Sequence, residues 1–276
     1  MSESVDFYAV VVVYNVHCTE SQTCRALMKL ADPHVHVVIY DNSTRPMNNR
    51  DFCRQQGWRY LGGQGNMGLS KAYNHSIREL KQSGAGGYVC LFDDDTLLEP
   101  EYFDMLRSAS AKSSCRILVP LIYSGDTLIS PCLLYPGHRI RLFRKAEEAL
   151  SYTGGNLTAI NSCMAIALSV FDSYQYDERI FLDGIDHQFL RDMRERGEGI
   201  SVFPYQCRHE FSGTARPPVE SALSRFKLFE KDYRYILRGE RAAYLRLVGK
   251  RVLKLTLQYK TLSFLKVLLH KKEASQ

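Results

Sequence analysis

The first hundred residues alternate continuous apolar runs with segments of helical periodicity. Continuous β-branched and aromatic runs are typical of strands buried on both faces, and they occupy residues 7–14, 34–40, 58–61 and 87–92. Between them, residues 19–31 and 67–81 have the spacing of helices, with Thr19 as the predicted N-cap of the first. This alternation predicts a parallel sheet wrapped by helices.

The pattern changes in the second half of the chain. Four segments follow in order: a strand over 115–123, a loop-rich stretch to 157, a strand running into a helix over 159–170, and a polar helix within 181–197. Beyond Pro217 and Pro218 the apolar spacing is wholly helical. Because paired prolines, a charge shift and a change of period coincide there, we predict a boundary at this point.

Composition narrows the class of protein. With 276 residues, 45% hydrophobic and 24% charged, the chain can bury a substantial core. Its longest apolar run falls far short of the roughly 18 residues of a membrane span, and its first residues lack the features of a secretory signal. Eight scattered cysteines without a CxxC pair favour buried thiols over disulfides or a zinc site. We therefore expect a cytoplasmic protein.

The net charge of +6 is unevenly distributed. Residues 225–276 hold 14 Lys and Arg against 4 Asp and Glu, a net charge of +10, which leaves −4 for residues 1–224. The apolar positions from 245 to 262 alternate three and four apart among these basic residues, which predicts a basic amphipathic helix. Such a helix fits an anionic membrane surface, packing on its own domain, or a partner copy in a homodimer.

Polar clusters follow three of the predicted strands at their carboxyl ends. They are Tyr14-Asn15, Asp41-Asn42-Ser43 and Asp93-Asp94-Asp95. In open α/β sheets, ligands bind beyond these strand ends, and paired carboxylates there suit a divalent cation that also takes phosphate oxygens. The alternative interpretation of the acidic triplet is a solvated turn.

Five segments resemble a known family in their order and spacing. VVVVYN (10–15), YDNST (40–44), GNMGLSKAYN (65–74), FDDDT (92–96) and FLDGIDHQFLRDMRERG (181–197) are similar to family 2 of the inverting GT-A glycosyltransferases, most closely to its bacterial rhamnosyltransferase-like branch. The resemblance covers about residues 5–213. It implies an α/β fold: a GT-A catalytic domain over 1–216, with a Rossmann-like mixed sheet and helices on both faces, followed by a helical extension over 217–276. The donor-binding half would be about 1–96 and the acceptor-side half about 97–216.

The resemblance also implies roles for the residues of the first half. Tyr14, Asn15 and Asp41 would hold the nucleotide, and Asn66 would lie on the donor side, while Asn74 braces the loop. The family's DxD pattern falls on Asp93 and Asp95, with Asp94 at the variable middle position on the donor side. Asp95 would bind Mn²⁺ or Mg²⁺, and Asp93 would contact the ribose or the metal.

The motif at 181–197 implies the catalytic base. Many relatives begin this motif with a Glu-Asp pair, where this chain has Ile185-Asp186, so Asp186 is the predicted base and Asp183 the rival. Gln188 and Asp192 replace a glutamate and an arginine that are usual in the branch, which puts the acceptor side in doubt. His209 matches a histidine that completes the metal site in some relatives, and its alternative is a structural histidine.

We therefore predict a metal-dependent inverting glycosyltransferase. By resemblance it would move rhamnose, galactose or a similar sugar from a UDP-, dTDP- or GDP-linked donor to a saccharide acceptor, commonly lipid-linked, in bacterial surface polysaccharide or lipopolysaccharide synthesis. Residues 225–272 would then contact the inner face of the cytoplasmic membrane.

Two other classes of protein would explain part of the sequence. A nucleotidyltransferase would show a Gly-rich basic loop after the first strand, which Val13-Tyr14-Asn15-Val16 lacks. A noncatalytic nucleic-acid-binding protein would explain the basic tail but not the acidic clusters, so no nucleic-acid partner is expected.

Overall fold

The computed structural model describes residues 5–208 and 216–269, which form two sheets and nine α-helices. The strands are β1 (Phe7–Val13), β2 (Val35–Asp41), β3 (Arg59–Gly62), β4 (Tyr88–Asp93), β5 (Ile117–Ser124), β6 (Thr127–Ser130), β7 (Cys132–Tyr135), β8 (Arg139–Leu142), β9 (Leu157–Thr158), β10 (Met164–Ala167) and β11 (Ile200–Arg208). The helices are α1 (Gln22–Leu27), α2 (Asn49–Gln56), α3 (Leu69–Gln82), α4 (Glu101–Lys112), α5 (Ala146–Leu150), α6 (Ile185–Glu195), α7 (Val219–Ile236), α8 (Arg241–Tyr259) and α9 (Ser263–Leu269). A 3₁₀ turn spans Leu168–Asp172.

The large sheet is mostly parallel and has the order β11-β5-β10-β4-β1-β2-β3, with β6 paired to β5. Strand β1 lies parallel to both β2 and β4, so the carboxyl ends of these three strands meet at one edge. Strand β10 runs antiparallel to β4 and β5, which makes the sheet mixed. The predicted mixed α/β sheet is confirmed.

Strand β1 is buried on both faces, as its continuous apolar run predicts. Val10 and Val12 pack into one core layer with α3, α6 and α7, while Phe7 and Val11 pack into the other with α1 and α4. Successive side chains of a strand point to opposite faces, so an apolar residue is needed at every position between two helical layers. The core therefore lies on both sides of the sheet.

The predicted loop up to residue 157 is instead a small antiparallel sheet, with the order β8-β7-β9. The correction has a physical reason: the strands have two to four residues, and all four side chains of β8 are exposed. A strand this short with no buried face leaves little hydrophobic periodicity to detect. The β7–β8 turn of this sheet lies beside the start of α6, where the rings of His138 and His187 are 5.5 Å apart.

Four other elements differ from the predictions. Helix α1 is shorter than predicted and is capped by Ser21 rather than Thr19, because the Ser21 hydroxyl accepts a hydrogen bond from the Cys24 amide (3.1 Å). Helices α2 and α4 and strand β11 were not predicted. The clearest missed signal is in β11, where Phe203, Tyr205 and Cys207 alternate with exposed residues.

The chain after Pro218 is helical, as predicted, but the tail is not one continuous helix. Helix α8 ends at Tyr259, Lys260 takes a left-handed φ of 52°, and α9 then begins at Ser263. Val248, Val252 and Phe264 pack into the core layer that also contains α7. Among the described residues, none of the helices is both long and apolar enough to cross a membrane.

The cysteines are free thiols, as expected. Seven are buried and Cys115 is partly exposed.

Candidate active site

The acidic turn after β4 is held by the beginning of α1. The buried Thr23 hydroxyl donates to the Asp93 carbonyl (2.5 Å), and the Ser21 hydroxyl donates to the Asp94 carbonyl (2.6 Å). The Thr96 amide in turn donates to the Thr23 hydroxyl (3.0 Å). These bonds use backbone groups of the turn and leave its three carboxylates directed to other partners.

The acidic turn also contacts the end of β1. The Tyr14 amide donates to Asp94 Oδ2 (3.3 Å), which joins two of the predicted clusters directly. Burial raises the pKa of Asp94, the Tyr14 hydrogen bond opposes that shift, and the negative charge of Asp95 adds to it. Among the described residues, no ion pair links Asp94 or Asp95 to a lysine or arginine.

Asn15 joins the ends of β1 and β2. Its left-handed φ of 55° turns the chain sharply after the strand, a conformation that asparagine tolerates better than most residues. Its amide donates to Ser43 Oγ (2.8 Å), and its side-chain oxygen accepts from the Thr44 amide (3.0 Å). Tyr14 beside it remains 49% exposed, so an aromatic face is open to a ligand at this edge.

Asp41 lies at the same edge but is buried. Its Oδ1 accepts from the Ser43 amide (3.0 Å), and its Oδ2 accepts from Asn49 Nδ2 (3.1 Å) and Tyr60 Oη (3.3 Å). Burial, and then the Asp41 charge, raise the pKa of Tyr60 to about 12. The carboxylate therefore organises the loop that follows β2, and its contact with a nucleotide stays a prediction.

Asn42 positions the glycine-rich loop, a role that the sequence analysis missed. Its Nδ2 donates to Asn66 Oδ1 (2.9 Å), and its Oδ1 accepts from the Met67 amide (2.7 Å). Gly68 begins α3 with a φ of 84°, and a Cβ there would lie 2.7 Å from the Phe181 carbonyl oxygen. The loop carrying Asn66 is thus fixed to β2 on one side and to the 181–197 motif on the other.

Asn74 was expected to brace the glycine-rich loop, but it braces the segment that precedes the 181–197 motif. Its Nδ2 donates to the Tyr176 carbonyl and its Oδ1 accepts from the Tyr176 amide, each at 2.9 Å. Both bonds are buried, and they fix the approach to the 181–197 motif.

Tyr73 is near both acidic parts of the site. It is fully buried, and burial, followed by the negative charge of Asp93, raises its pKa well above 10, with Tyr176 and Asp186 contributing. The end of β4 and the start of α6 therefore both lie close enough to this ring to act on its phenol.

Asp186 lies in the first turn of α6, where the helix dipole favours a negative charge. Its Oδ1 accepts from the His187 amide (2.7 Å). Its charge also raises the pKa values of Tyr233 and of Cys132, after the larger contribution of burial. Asp186 is partly exposed and has no ion-pair partner in residues 5–208 and 216–269.

Asp183, the rival base, is engaged differently. Its two carboxylate oxygens accept from both terminal nitrogens of Arg225 on α7, in a bidentate ion pair. A guanidinium held in this way stabilises the ionised carboxylate and would have to be displaced for proton transfer. The geometry therefore favours Asp186 over Asp183.

Two histidines flank the start of α6. His187 Nδ1 lies 2.8 Å from Thr158 Oγ1, and its ring lies 5.5 Å from that of His138 in the β7–β8 turn. His138 also packs edge-on against Tyr233 at 5.0 Å. Burial, followed by the nearby His187, Arg191 and Arg246, lowers the pKa of His138 to about 4. Its Nε2 is buried without a hydrogen-bond partner among the described residues.

The carboxylates of the acidic turn suit a divalent cation whose remaining coordination positions are filled by oxygens of the substrate. Within the described residues no group of three or more His, Cys, Asp or Glu could hold a metal ion. Mg²⁺ usually takes only one or two carboxylates and keeps water or phosphate oxygens in its other positions, so Asp93 and Asp95 suffice in the presence of a donor. His209, the predicted third group, lies outside the described residues.

Comparisons with known proteins agree with this geometry. A sequence profile for Glycosyl transferase family 2 matches residues 8–174. No curated protein sequence gave a significant match.

Three solved structures share the fold. TarS from S. aureus (residues 1–349) is 16% identical with a TM-score of 0.51, over 84% of this chain and 65% of that chain. GalNAc-T7, solved with UDP, GalNAc and Mn²⁺, is 14% identical with a TM-score of 0.62, over 93% and 55%. The mannosyltransferase PcManGT from Pyrobaculum calidifontis, in complex with GDP-Man and Mn²⁺, is 12% identical with a TM-score of 0.59, over 100% and 77%. At these identities the likeness shows the fold alone, which is GT-A.

This chain spans less than two thirds of the first structures with which it aligns: 65% of the TarS fragment and 55% of the GalNAc-T7 chain.

Proposed function

The chain belongs to glycosyl transferase family 2, and from that we propose that it transfers a sugar, with inversion, from a nucleotide-diphosphate donor to a saccharide hydroxyl. The observation that carries the proposal is that the ends of β1, β2 and β4 meet at one edge, and that the glycine-rich loop bonded to Asn42 at this edge also bonds to the 181–197 motif that leads into α6. The residues that would bind the sugar donor lie at this edge, and the partly exposed carboxylate of Asp186 would face them from the motif. A single displacement needs that arrangement.

On the donor side, the nucleotide would lie over the ends of β1 and β2. The exposed ring of Tyr14 offers a stacking surface, and Asn15 and Asp41 shape the loop beneath it. Asn66 and the amides at the start of α3 would face the sugar or the diphosphate, since helix N-termini favour anions. Asp94 would contribute from the middle of the acidic turn.

Asp93 and Asp95 would hold Mn²⁺ or Mg²⁺ together with donor phosphate. When bound, this cation offsets the negative charge that develops on the diphosphate as it leaves. The proposal is supported by the position of the turn, because the hydrogen bond from the Tyr14 amide to Asp94 Oδ2 (3.3 Å) holds the turn at the end of β1.

On the acceptor side, Asp186 would take the proton of the attacking hydroxyl. The acceptor oxygen then forms a bond to the anomeric carbon while the bond from that carbon to the diphosphate oxygen breaks. The electron pair leaves with the nucleoside diphosphate, and the configuration inverts. One base is enough for this reaction, whereas a retaining glycosidase needs two carboxylates about 5 Å apart.

The finer assignment rests on resemblance. The motif FLDGIDHQF favours the rhamnosyltransferase-like branch, which implies rhamnose, galactose or a similar sugar carried by UDP, dTDP or GDP. The acceptor would be a lipid-linked saccharide in bacterial surface polysaccharide synthesis.

The exposed face of α8 supports contact with a membrane. Leu245, Leu253 and Leu257 are 56%, 61% and 68% exposed, and Lys250 and Lys254 lie among them. Leucines that insert between lipid headgroups and lysines that meet anionic lipids are typical of interfacial helices. A homodimer through the same face is the alternative, and a size measurement distinguishes the two.

A donor screen tests the proposal. We expect nucleoside diphosphate release from one class among UDP-, dTDP- and GDP-sugars, and we expect release to require Mn²⁺ or Mg²⁺. Product analysis by NMR should show inversion at the anomeric carbon. Retained configuration would contradict the proposal. Formation of nucleoside triphosphate and sugar 1-phosphate when pyrophosphate is added would also contradict it, and would point to a nucleotidyltransferase.

A further inference from the structure

Helix α7 reaches the segment that carries both candidate bases. Asp232 is completely buried, and its carboxylate accepts three consecutive backbone amides of that segment. The Phe181 amide donates to Oδ1 (2.9 Å), and the Leu182 and Asp183 amides donate to Oδ2 (2.8 and 2.9 Å). A buried carboxylate is costly unless donors satisfy it, so these three bonds form one interdependent unit.

The same segment is held from the opposite side by the start of α3. The Ser70 hydroxyl donates to the Ile180 carbonyl (2.5 Å), and the Leu69 amide donates to the Phe181 carbonyl (2.8 Å). The Phe181 N–H is therefore hydrogen-bonded to a residue of α7, and the Phe181 C=O to a residue of α3. The segment 180–183 is clamped between the donor side of the site and the C-terminal helices.

Close packing continues the clamp to the beginning of α6. Gly184 has a φ of 77°, and a Cβ there would lie 2.8 Å from Ile236 Cδ1 and 3.3 Å from the Tyr233 ring. Helix α6 begins at the next residue, and Asp186 lies in its first turn. Any shift of 181–184 away from α7 would therefore move the proposed base.

We propose that Asp232 is a positioning residue for the reaction: it fixes the backbone of 181–184 and thereby sets the position of Asp186 relative to the donor. This inference rests on the proposed function and deepens it, because it makes α7 part of the catalytic apparatus. Asp232 does not touch substrate. It acts through three amides and the helix that follows them.

Asp232→Asn is the sharpest test. The carboxamide keeps the size of the side chain but replaces one acceptor oxygen with an NH₂ group, which would face a backbone N–H. Asp177→Asn is a matched control, because Asp177 also ties the chain to α7, accepting from Tyr235 Oη (2.7 Å) and Arg179 Nε (2.8 Å), without contacting 181–184.

Two readouts separate positioning from general destabilisation. We expect amide hydrogen exchange at 181–183 to accelerate in Asp232→Asn and to match the parent in Asp177→Asn. We expect kcat to fall roughly 10- to 100-fold in Asp232→Asn, the size of loss that a displacement of about 1 Å produces, with a smaller change in donor KM. Asp177→Asn should keep the parent kcat.

A second pair of variants covers the case in which Asp232→Asn does not fold. Gly184→Ala pushes the same segment against Ile236 without removing a buried charge, and it should also lower kcat. Ile236→Val removes Cδ1, the atom 2.8 Å from the new methyl group, and should restore part of that loss.

The inference is overturned if exchange at 181–183 is equal in the two asparagine variants, or if Asp232→Asn keeps the parent kcat. If the parent releases no nucleoside diphosphate from any donor, the proposed function fails, while the exchange comparison still decides whether Asp232 holds the segment.

Discussion

The choice between two nearby aspartates is decided by their partners. Asp183 and Asp186 are three residues apart, and both are carboxylates on the acceptor side of the motif. Arg225 occupies both oxygens of Asp183, whereas within residues 5–208 and 216–269 the hydrogen bond that Asp186 accepts comes from the amide of its own neighbour, His187. A base must be free to receive a proton, so the proposal assigns that role to Asp186.

Asp186→Asn is therefore expected to abolish most turnover. Because a positioned base contributes about 10²- to 10⁴-fold, kcat should fall by that range while the donor binds with the parent affinity. Steady-state kinetics with calorimetric donor binding measure both quantities. Asp183→Asn is the control, and it should lose less activity than Asp186→Asn. The reverse order would assign the base to Asp183.

The motif residues could be predicted from the sequence, but the residues that hold them in position could not. Tyr14, Asn15, Asp93 and Asp186 stand in recognisable segments. The first three lie at one edge of the sheet, and Asp186 lies in the first turn of α6. Asp232 contacts amides about fifty residues earlier in the chain, and no local pattern marks it. A buried carboxylate in a basic helical tail looks like any other charged helix position until the fold is known.

At the scale of elements, the β7–β8 hairpin brings a neutral histidine to the acceptor side. The pKa of His138 is lowered to about 4 by burial and by His187, Arg191 and Arg246, whereas an unfolded chain protonates histidine near 6.5. Below pH 6.5 the unfolded chain binds a proton that the folded chain does not bind until about pH 4. His138 thus contributes stability that is present above pH 6.5 and is lost as pH falls toward 4.

His138→Asn should remove this part of the acid sensitivity. Asparagine tolerates the φ of 56° at this position and does not titrate, so the variant's melting temperature should fall less than the parent's between pH 6.5 and 4. Thermal unfolding at several pH values measures the difference. Parallel curves for the two proteins would show that His138 has no such role.

Helix α8 is the element in which a membrane contact can be tested. Leu253→Glu combined with Leu257→Glu places negative charge on the exposed face without touching the buried Val248 and Val252. We expect the parent to cosediment with vesicles that contain anionic phospholipid, less so at high salt, and the double variant to stay in solution. Met28→Glu, at an exposed position on α1, should bind as the parent does. Equal binding of the parent and the double variant would exclude this face.

Element prediction succeeded where the apolar pattern is long and failed where elements are short. The runs of β1, β2 and β4 were identified because strands buried on both faces need apolar residues throughout. The three-stranded sheet was missed because β9 has only two residues and β8 buries none of its side chains. The break between α8 and α9 depends on the left-handed backbone conformation of Lys260. A lysine in the sequence gives no signal of that conformation.

At the scale of the whole molecule, the GT-A fold explains why the site is shared between distant parts of the chain. Parallel strands β1, β2 and β4 end at one edge, where the donor would bind, and the later elements α6 and α7 would supply the acceptor side in the proposed reaction. The assignment of 1–216 as catalytic domain and 217–276 as extension stays a prediction. The contacts of Asp232 and Arg225 with residues 181–183 show that α7 packs directly on the proposed site.

Calorimetric titration of the matching sugar nucleotide into the parent and into Asp95→Ala, each with and without Mn²⁺, tests the central claim most directly. We expect tight binding to the parent only with Mn²⁺, and a loss of that metal-dependent gain in Asp95→Ala, because the acidic turn after β4 would hold the ion and the donor diphosphate together. Equal affinity with and without Mn²⁺, or a full metal-dependent gain in Asp95→Ala, would contradict the account.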